Sequence, residues 1–535
     1  MPIIQFNKLH LSAALALVLV AGTFSCTKFN EWDTEEGSRR LFATTAAEAS
    51  VEGVTVILSW KNMPATSSYV VEISQDSLVF GQILYTYEGS FELINGSRVM
   101  LIPDQLAPTT VYSARIKGKN SDGIAESNWT SLAFKTKSEQ ILLPFGTGDL
   151  AARTALLKWS SPNVTHLLLN GTRIDLTADE KEAQSKLLEG LTPKTAYKAD
   201  IYNNTIIRGS LSFSTTAEIP TGPGVIVVDA DANLATLIAG AADGTTFVLL
   251  EGTMYNADDA VLIPEGVSLT IWGEQGGVRP VLAFNTFTLP ATAGTIRFEN
   301  LDITGYQNNN SAGTKRNYIF NQGSATVTQR VEFENCVIRN LVNSPFRLQG
   351  SNAITINNVS FNNCVAYDIG YNATTGTYAF FHNTSATSTV NNISLTNSTL
   401  YGIGYSLILS NTTPLQSILI DNVTMDNIVS NTRYLVDLNA QNVTGSFIIR
   451  NTIVGRTASV AATARGIRVG SATTYSVLNS YQTADCIFSA NPISNLTAYG
   501  KTSTELFRDP VNGDFIIIDN GFPGGSSTGD PRWRQ

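Results

Sequence analysis

Residues 331–341, VEFENCVIRNL, place an asparagine and a cysteine between two short apolar segments, and the pattern recurs along the chain. Its other copies are IRFENLDI, VSFNNCVA, ISLTNSTL, ILIDNVTM and FIIRNTIV. The asparagines of the series are Asn300, Asn335, Asn363, Asn397, Asn422 and Asn451. The intervals between them are 35, 28, 34, 25 and 29 residues. A fixed turn residue at variable intervals predicts a stack of similar coils that share a core and differ in their loops.

Each asparagine follows two apolar residues that alternate with other residue types, which predicts a strand with one side facing a core. We expect the asparagine to take the left-handed backbone conformation, because its short polar side chain tolerates that geometry. In this conformation it would bend one strand into the next, and its amide could pair with the asparagines above and below. The row is therefore predicted to be a structural ladder rather than a catalytic site.

Cys336 and Cys364 directly follow two of these asparagines, one coil apart. Stacked strands should bring them to about 4.8 Å from each other, a separation that a disulfide tolerates. Parallel stacked strands seldom give the Cβ geometry of a disulfide, so we expect two buried thiols side by side.

The chain has 535 residues, which predicts several domains or a repeat array rather than one ordinary core. Charged residues make up 15% of the sequence and the net charge is −9. This balance argues against a general nucleic-acid binder, which should be basic. Histidine occurs only at His10, His166 and His382, so neither a histidine metal site nor a histidine-dependent triad is expected.

Residues 1–25 have the features of a signal peptide, with Lys8 before an apolar run, LSAALALVLVA, that is short for a membrane span. The following GTFSC, which ends at Cys26, resembles a lipobox, although Thr23 and Phe24 depart from the usual residues. The resemblance implies acylation of Cys26, an acidic tether over residues 26–44 and a lipid-anchored position at the outer-membrane cell surface. Ordinary secretion without a lipid is the alternative.

Residues 45–137 alternate in short β segments, with Trp60 on an early strand and Tyr112 at the end of LAPTTVY. This pattern resembles fibronectin type III, in which the tryptophan fills the centre of a β-sandwich and the tyrosine hydroxyl ties down a corner. Such modules imply spacers or interaction domains, and we assign no chemistry to these two residues.

A fainter copy of this pattern covers residues 138–218, with Trp159 and, in LTPKTAY, Tyr197. After the linker TGPG, residues 222–535 begin with short apolar strands broken by glycine and proline, which resemble the first coils of pectate-lyase-like right-handed β-helices. The predicted fold is therefore all-β, with two fibronectin type III-like sandwiches followed by a right-handed parallel β-helix.

A second strand follows each ladder segment, in PFRLQG, YAFFHN, SLILSN, YLVDLN and GIRVGS. If the apolar positions point inward, the outward side of these strands forms a candidate glycan-binding face, with Ile408 and Ser410 on its third strand. Its binding residues are predicted to be Arg347, Phe380, His382, Asp437 and Arg468. Aromatic rings stack on sugars and arginines pair with carboxylates, which suits an acidic polysaccharide. A plain solvated outer face is the alternative.

Two enzyme classes can be weighed against this sequence. A glycosidase needs two facing carboxylates, and the face offers only Asp437. A polyuronate lyase usually needs Ca²⁺ held by several carboxylates, together with a base. The nearby acids Asp368, Asp421, Asp426 and Asp437 do not share a coil position, so they are predicted to be dispersed. No catalytic residue and no cofactor are predicted, and Ca²⁺ would enter only with a lyase.

The C-terminal segments FRDPVNGDF and GDPRW complete a resemblance to Bacteroidetes cell-surface lipoproteins with β-helical parts of unknown function. Such proteins resemble members of polysaccharide-utilisation systems. The resemblance implies a lipoprotein that binds an acidic, pectin-like polysaccharide through the β-helix groove, with the outer-membrane lipid as its anchor and no nucleic-acid partner. A Ca²⁺-dependent lyase and a non-catalytic structural or adhesive protein remain alternatives. An aromatic strip on the face would favour binding, whereas clustered aspartates and arginines would favour the lyase.

Overall fold

The computed structural model describes residues 40–102, 106–121, 123–370, 377–459 and 461–534. The predicted signal peptide, Cys26 and most of the predicted tether lie outside these residues. The chain divides into two compact units, Met1–Glu139 and Gln140–Gln535. In the part of the chain that is described, no helix combines the length and the apolar character needed to cross a membrane.

The first unit is an antiparallel β-sandwich. Its strands are Glu48–Glu52 (β1), Thr55–Lys61 (β2), Ser68–Ser74 (β3), Ile83–Gly89 (β4), Glu92–Ile94 (β5), Ser97–Ile102 (β6), Val111–Lys119 (β7) and Thr130–Lys135 (β8). One sheet has the order β1-β2-β6-β5 and the other β4-β3-β7-β8. Alternate residues of β2 are buried, as expected for a strand with one face on a core.

The predicted centre and corner of this sandwich are confirmed. Trp60 is fully buried and packs edge-on against Tyr69, with ring centroids 5.4 Å apart. The backbone N–H of Ala107 donates to the Tyr112 hydroxyl oxygen at 2.9 Å, which fixes the loop that leads into β7.

The second unit begins with a smaller sandwich. Its strands are Ala155–Lys158 (β9), His166–Leu169 (β10), Thr172–Asp175 (β11), Ser185–Leu188 (β12), Ala196–Asn203 (β13) and Ile206–Ser214 (β14), with a short helix at Ala178–Ala183 (α1). The sheets have the orders β11-β10-β13-β14 and β12-β9. Trp159 is 1% exposed, and the N–H of Thr192 donates to the Tyr197 hydroxyl at 2.9 Å. The fainter copy of the pattern therefore forms the same core and the same corner.

A continuous parallel sheet fills most of the second unit, and we call residues 225–498 the parallel region. It includes a short helix at Leu234–Ala239 (α2). Its strands are Val225–Val227 (β15), Thr245–Leu249 (β16), Met254–Leu262 (β17), Leu269–Gly273 (β18), Val281–Thr288 (β19), Thr292–Glu299 (β20), Asp302–Thr304 (β21), Tyr318–Gln322 (β22), Thr326–Glu334 (β23), Val337–Leu341 (β24), Ser344–Leu348 (β25), Ile354–Asn362 (β26), Val365–Ile369 (β27), Phe381–Asn383 (β28), Ser388–Ile403 (β29), Ile408–Ser410 (β30), Leu415–Ile428 (β31), Tyr434–Asp437 (β32), Val443–Arg450 (β33), Ile453–Val454 (β34), Arg465–Arg468 (β35), Ser476–Leu478 (β36), Tyr481–Gln482 (β37) and Thr497–Ala498 (β38).

These strands stack in three parallel ladders. The first ladder runs β16-β18-β20-β23-β26-β29-β31-β33-β36, and the second runs β21-β24-β27-β29-β31-β34-β37. The third ladder runs β17-β19-β22-β25-β28-β30-β32-β35. Strands β29 and β31 are long because each continues from the first ladder into the second past its ladder asparagine. The predicted stack of parallel strands is therefore present.

The core of the parallel region lies between the ladders and contains stacked aromatic rings. Phe298, Phe333 and Phe361 occupy equivalent positions on β20, β23 and β26. Their centroids are 4.9 and 4.8 Å apart, with interplanar angles of 9° and 2°. The spacing follows from the distance between neighbouring strands, so each ring packs on the equivalent ring of the next coil.

The asparagine ladder adopts the predicted conformation. All six asparagines have φ between 50° and 57°, and Asn479 extends the row with φ 42°. The Nδ2 of Asn335 donates to Oδ1 of Asn300 at 2.9 Å, and the Nδ2 of Asn363 donates to Oδ1 of Asn335 at 3.1 Å. The same pairing joins Asn422 to Asn397 at 3.1 Å and Asn479 to Asn451 at 2.9 Å.

Two steps of the ladder depart from this simple pattern. The Nδ2 of Asn397 donates to Oδ1 of Asn362 at 2.9 Å, and that of Asn451 donates to Oδ1 of Asp421 at 3.1 Å. In both cases the acceptor is the residue just before the ladder asparagine of the neighbouring coil. A side-chain amide therefore finds an acceptor at every step.

The cysteines are buried and unpaired, as predicted. Cys336, Cys364 and Cys486 are free thiols among the described residues. Burial, together with the neighbouring Cys336, raises the pKa of the Cys364 thiol well above its usual value. A thiol held in its protonated form is a poor nucleophile, so Cys364 is not reactive. All three cysteines pack in the hydrophobic core of the parallel region.

The C-terminal segment packs back onto the parallel region. Ser503–Leu506 (α3) precedes an antiparallel pair, Phe507–Asp509 (β39) and Asp514–Ile517 (β40). The GDPRW segment then lies beside the asparagine ladder. Arg532 donates to Oδ1 of Asn363 at 2.6 Å, and Arg534 donates to Oδ1 of Asn422 at 2.6 Å. The terminal motif thus supplies donors to ladder oxygens.

Candidate functional site

The third ladder brings four of the five predicted site residues into one row. Arg347 on β25 stands opposite His382 on β28, and His382 stands opposite Leu409 on β30. Leu409 stands opposite Asp437 on β32, which in turn stands opposite Arg468 on β35. Parallel strands keep equivalent residues in line, so these side chains follow one another along the stack.

Phe380 does not join this row, and its prediction as an outward binding residue is wrong. It is 1% exposed, and its ring lies 4.8 Å from that of Phe361 in the core. The neighbouring Phe381 is also buried, against Phe346 at 5.8 Å. Phe380 directly precedes β28, where the chain enters from a corner, so strict inside–outside alternation does not hold there.

The third strand of the row has the opposite register from the one predicted. Ile408 and Ser410 are fully buried, and Leu409 occupies the row position between His382 and Asp437. A shift of one residue exchanges the two sides of a strand. The polar Ser410 is accommodated inside because its hydroxyl accepts from the Asn383 amide at 2.9 Å.

Arg347 lies against two tyrosines, Tyr318 and Tyr378, whose rings meet edge to face at 5.6 Å. Its guanidinium carbon lies 5.4 Å from the ring centroid of Tyr318 and 5.0 Å from that of Tyr378. It also donates to the Tyr318 hydroxyl at 3.1 Å. Burial and the neighbouring Tyr378 raise the pKa of Tyr318, so its phenol stays protonated. The two rings hold the guanidinium in place by cation–π attraction and leave its remaining N–H groups as donors.

The same arrangement recurs further along the stack. The guanidinium of Arg433 lies 4.6 Å from the ring centroid of Tyr405, and that of Arg465 lies 5.2 Å from Tyr434. Arg465 also donates to the Tyr434 hydroxyl at 3.3 Å. We call the surface formed by these side chains the tyrosine–arginine face; its members are Tyr318, Arg347, Tyr378, Tyr405, Arg433, Tyr434 and Arg465.

The three arginines of this face have no carboxylate partner within the described ranges, unlike Arg468, which is paired with Asp437. The buried Nε donors of Arg347 and Arg433 also find no acceptor there. An unsatisfied buried donor costs about 1–3 kcal/mol, and this cost opposes the cation–π attraction at both side chains.

Asp437 and Arg468 neutralise each other at the far end of the row. Two hydrogen bonds of 2.8 Å join the guanidinium of Arg468 to both carboxylate oxygens of Asp437. This pairing raises the pKa of Arg468, although partial burial opposes the effect. Arg468 also lies 4.5 Å from the ring centroid of Tyr434. The pair is a fixed part of the surface rather than a free cation and a free anion.

His382 is held neutral beneath the face. It is 6% exposed, and the backbone N–H of Ala379 donates to its Nδ1 at 3.2 Å. Its ring contacts Tyr378 at 4.8 Å. Burial and then the charge of Arg347 lower the pKa of His382 to about 4. A buried imidazole with an occupied Nδ1 is poorly placed to act as a general base.

This burial predicts a pH-dependent stability. The unfolded chain binds a proton at His382 below its ordinary pKa of about 6.5, whereas the folded chain binds it only near 4. The contribution of neutral His382 to the free energy of unfolding should therefore be fully present above pH 6.5. It should decrease by roughly 3 kcal/mol as the pH falls to 4. We expect His382→Gln to lose this part of the pH dependence when urea unfolding is followed from pH 7 to 4. Equal pH slopes in the two proteins would show that His382 is not the titrating group.

The carboxylates considered for a Ca²⁺ site are dispersed, as predicted. Each is paired with a different base: Asp368 with Lys315, Asp421 with Arg450, Asp426 with Arg456 and Asp437 with Arg468. No group of three or more histidine, cysteine, aspartate or glutamate side chains that could hold a metal occurs among the described residues.

The sequence did not place the tyrosines, Arg433 or Arg465 on this face, although Arg433 was considered, with Arg347 and Arg468, as the base that a lyase would need. Tyr378, Tyr405 and Arg433 lie just before strands of the third ladder, and Tyr434 and Arg465 are first residues of β32 and β35. The signal that could have found them is a tyrosine or arginine three or four positions before the row residues His382, Leu409, Asp437 and Arg468.

Two segments of the chain match family models that carry no assigned function. Residues 254–403 match the Domain of unknown function (DUF4957), and residues 418–533 match the Domain of unknown function (DUF5123). All residues of the tyrosine–arginine face except Tyr405 lie within these segments.

Among curated proteins, the chain is similar to Tyrosine-protein phosphatase 69D of Drosophila melanogaster, with 28% identity over 176 residues. The match covers 30% of this chain and 12% of that protein.

Solved structures similar to this chain include a two fibronectin type III domain segment of chicken tenascin, at 14% identity and a TM-score of 0.21. It covers 32% of this chain and 99% of the tenascin chain. The FN1–FN3 domains of chicken CNTN1 match at 14% identity and a TM-score of 0.15, covering 34% of this chain and 69% of that chain. The strand orders and the two tyrosine corners identify the sandwiches as fibronectin type III-like.

Proposed function

We propose that this protein is a surface lipoprotein that binds acidic polysaccharide through the tyrosine–arginine face. The observation that carries the proposal is the set of three arginines that are stacked on tyrosines without a carboxylate partner among the described residues. A guanidinium in this setting is oriented in advance and still has donors for a carboxylate, with which arginine forms two parallel hydrogen bonds.

The tyrosines have a different role from the one expected of aromatic residues in a sugar site. Their faces are occupied by arginines, so they orient the cations more than they stack on sugar rings. Arginines held this way, without a carboxylate partner among the described residues, support the binding of an acidic glycan. The overall charge of −9 makes a local cationic face more notable, because it is not part of a generally basic surface.

The proposed protein is anchored by a lipid and its coils are right-handed. Acylation at Cys26 would attach the chain to the outer membrane, and the sandwiches would act as spacers. The three ladders would form a right-handed, pectate-lyase-like β-helix, since connections between parallel strands are right-handed in about 98% of cases. The third ladder would then form the glycan-binding groove.

Removing two of the unpaired arginines is expected to abolish most of the binding. In the mature chain without its lipid, Arg347→Ala combined with Arg433→Ala should weaken binding to polygalacturonate by about 100-fold or more. Each substitution removes a charged hydrogen-bonding group worth about 1.5–3 kcal/mol. Isothermal titration calorimetry with pectin, alginate and neutral oligosaccharides measures this change.

A matched control removes two arginines from elsewhere in the second unit. Arg330 and Arg508 are exposed and already paired with Glu332 and Asp514, so Arg330→Ala with Arg508→Ala should leave affinity within about threefold. Equal losses of affinity in both double variants would show that overall charge, and not the tyrosine–arginine face, determines binding. A Ca²⁺-dependent rise in ultraviolet absorbance from unsaturated uronides would make the protein a lyase instead.

A further inference from the structure

A cavity lies on the outward side of the second ladder, whereas the tyrosine–arginine face belongs to the third. Its volume is about 480 Å³, within the range of roughly 300–1,000 Å³ that is usual for small-molecule sites. Strands β27, β29 and β31 form one wall, and the turn between β39 and β40 forms the other. We call it the second-ladder cavity.

The floor of this cavity is a gap in a row of side chains. Asp368, Gly402 and Asn427 occupy equivalent positions on three successive coils, with φ values of 53°, 61° and 51°. A Cβ at Gly402 would have no neighbour closer than 3.5 Å. The absence of a side chain there leaves an opening between Asp368 and Asn427, whose strands are two spacings, or roughly 10 Å, apart.

Two tyrosines form one side of the cavity. The rings of Tyr367 and Tyr401 are stacked 5.0 Å apart at an interplanar angle of 15°. Neither hydroxyl has a hydrogen-bond partner within the described ranges. Burial raises the pKa of Tyr401 to about 12, so its phenol stays protonated. Both hydroxyls can therefore donate to a ligand and accept from it.

The turn between β39 and β40 is fixed against these rings. The Nδ2 of Asn512 donates to Oδ2 of Asp509 at 2.7 Å, which leaves Oδ1 of Asn512 as an acceptor. Gly513 has φ 86°, and a Cβ there would lie 2.5 Å from the Tyr401 hydroxyl, so the turn approaches the ring closely. Val511 is 60% exposed and lines the cavity. The turn thus presents an apolar side chain and an amide oxygen.

The cavity has polar groups but no free cation. Oδ2 of Asp368 accepts from Lys315 at 2.7 Å, and this pairing balances the carboxylate charge. Oδ1 of Asp368 and the side-chain amide of Asn427 have no partner in the described part of the chain. An acidic ligand would find no unpaired arginine or lysine among the lining residues. A ligand whose hydroxyl groups both donate and accept, and whose C–H groups pack on aromatic and apolar side chains, fits these groups.

We infer that the second-ladder cavity is a second carbohydrate site and takes an uncharged sugar. Asp368 and Asn427 hold hydroxyl groups of the sugar at the floor, while Tyr367, Tyr401 and Val511 contact its C–H groups. The site goes beyond the function proposed above, because it lies on another ladder and uses none of the arginines of the tyrosine–arginine face.

The test measures binding of uncharged tetrasaccharides to the mature chain without its lipid by calorimetry. The probes are the tetrasaccharides of galactan, arabinan, xylan, mannan and cellulose, and we expect at least one of them to bind. Val511→Trp fills the cavity from an exposed turn and should weaken that probe by about 10-fold or more. Val278→Trp is the matched control, since Val278 is 61% exposed and lies outside the cavity, and it should leave the affinity unchanged.

Two milder substitutions test the polar groups. Tyr367→Phe removes only a hydroxyl, and Asn427→Gly removes the amide while tolerating the positive φ. Each should weaken the bound probe by about 3- to 10-fold, because one uncharged hydrogen bond is lost.

The outcomes separate this inference from the proposed function. Binding of oligogalacturonate without binding of any uncharged probe overturns the second site and leaves the proposed function in place. Uncharged binding that survives Val511→Trp places the sugar elsewhere and also overturns the second site. Uncharged binding that is lost in Val511→Trp, in a protein that binds no acidic glycan, supports the second site and removes the proposed function.

Discussion

Replacing Phe333 with alanine is expected to lower the free energy of unfolding of the second unit by about 3–5 kcal/mol. The ring is 1% exposed and lies between Phe298 and Phe361, nearly parallel to both. Its removal would leave a cavity inside the stack and take away two ring contacts. Strands on both sides are held by continuous pairing, so the core cannot close around the gap.

Urea unfolding of the full mature chain, followed by circular dichroism, measures this loss. The matched control is Val327→Ala on the same strand, where the side chain is 47% exposed, and we expect a change below about 1 kcal/mol. A Phe333→Ala protein as stable as the Val327→Ala protein would mean that the aromatic stack does not support the parallel region.

Replacing Asp530 with alanine is expected to destabilise the second unit by about 2–3 kcal/mol. Asp530 is 1% exposed, accepts from the Thr399 hydroxyl at 2.7 Å and pairs with Arg532. Removing one member of a buried ion pair leaves the other charge without a partner. The Arg532 side chain is 25% exposed, so the decrease in the free energy of unfolding should be smaller than for a fully buried ion pair.

The measurement combines urea unfolding with limited proteolysis of the C-terminal segment. Because Asp530 holds the segment that carries Arg532 and Trp533 against the ladder, its loss should also expose the segment to cleavage. Arg508→Ala is the control, since it removes an exposed ion pair with Asp514 from the same region, and we expect less than about 1 kcal/mol. Unchanged stability and unchanged cleavage in Asp530→Ala would show that the segment is held by other contacts.

The asparagine ladder was predictable because it depends on local chemistry. A strand that bends sharply needs a residue that tolerates positive φ, and asparagine at a recurring position supplies it. A second row of positive-φ residues, Asn340, Asp368, Gly402 and Asn427, bends the strands of the second ladder. It was missed because its members share a conformation but not a residue type.

The candidate site was only partly predictable, and the reason is geometric. Arg347, His382, Asp437 and Arg468 share one row because equivalent residues of parallel stacked strands stay in line. The prediction that His382 points outward is wrong, since the side chain is 6% exposed. Phe380 failed because it stands at a corner, where two successive residues can both face inward. Leu409 occupies the row position that was predicted for Ile408 and Ser410, because a shift of one residue exchanges the inward and outward sides of a strand.

The sequence by itself determined the features that depend on residue type and short-range spacing. These are the all-β character, the buried tryptophans and tyrosine corners of the sandwiches, the bent asparagines and the free buried cysteines. Tertiary structure alone decided which arginines are paired with a carboxylate and which are stacked on tyrosines. Arg347 and Tyr378, or Arg433 and Tyr405, are distant in sequence and meet only because parallel strands of successive coils place them side by side.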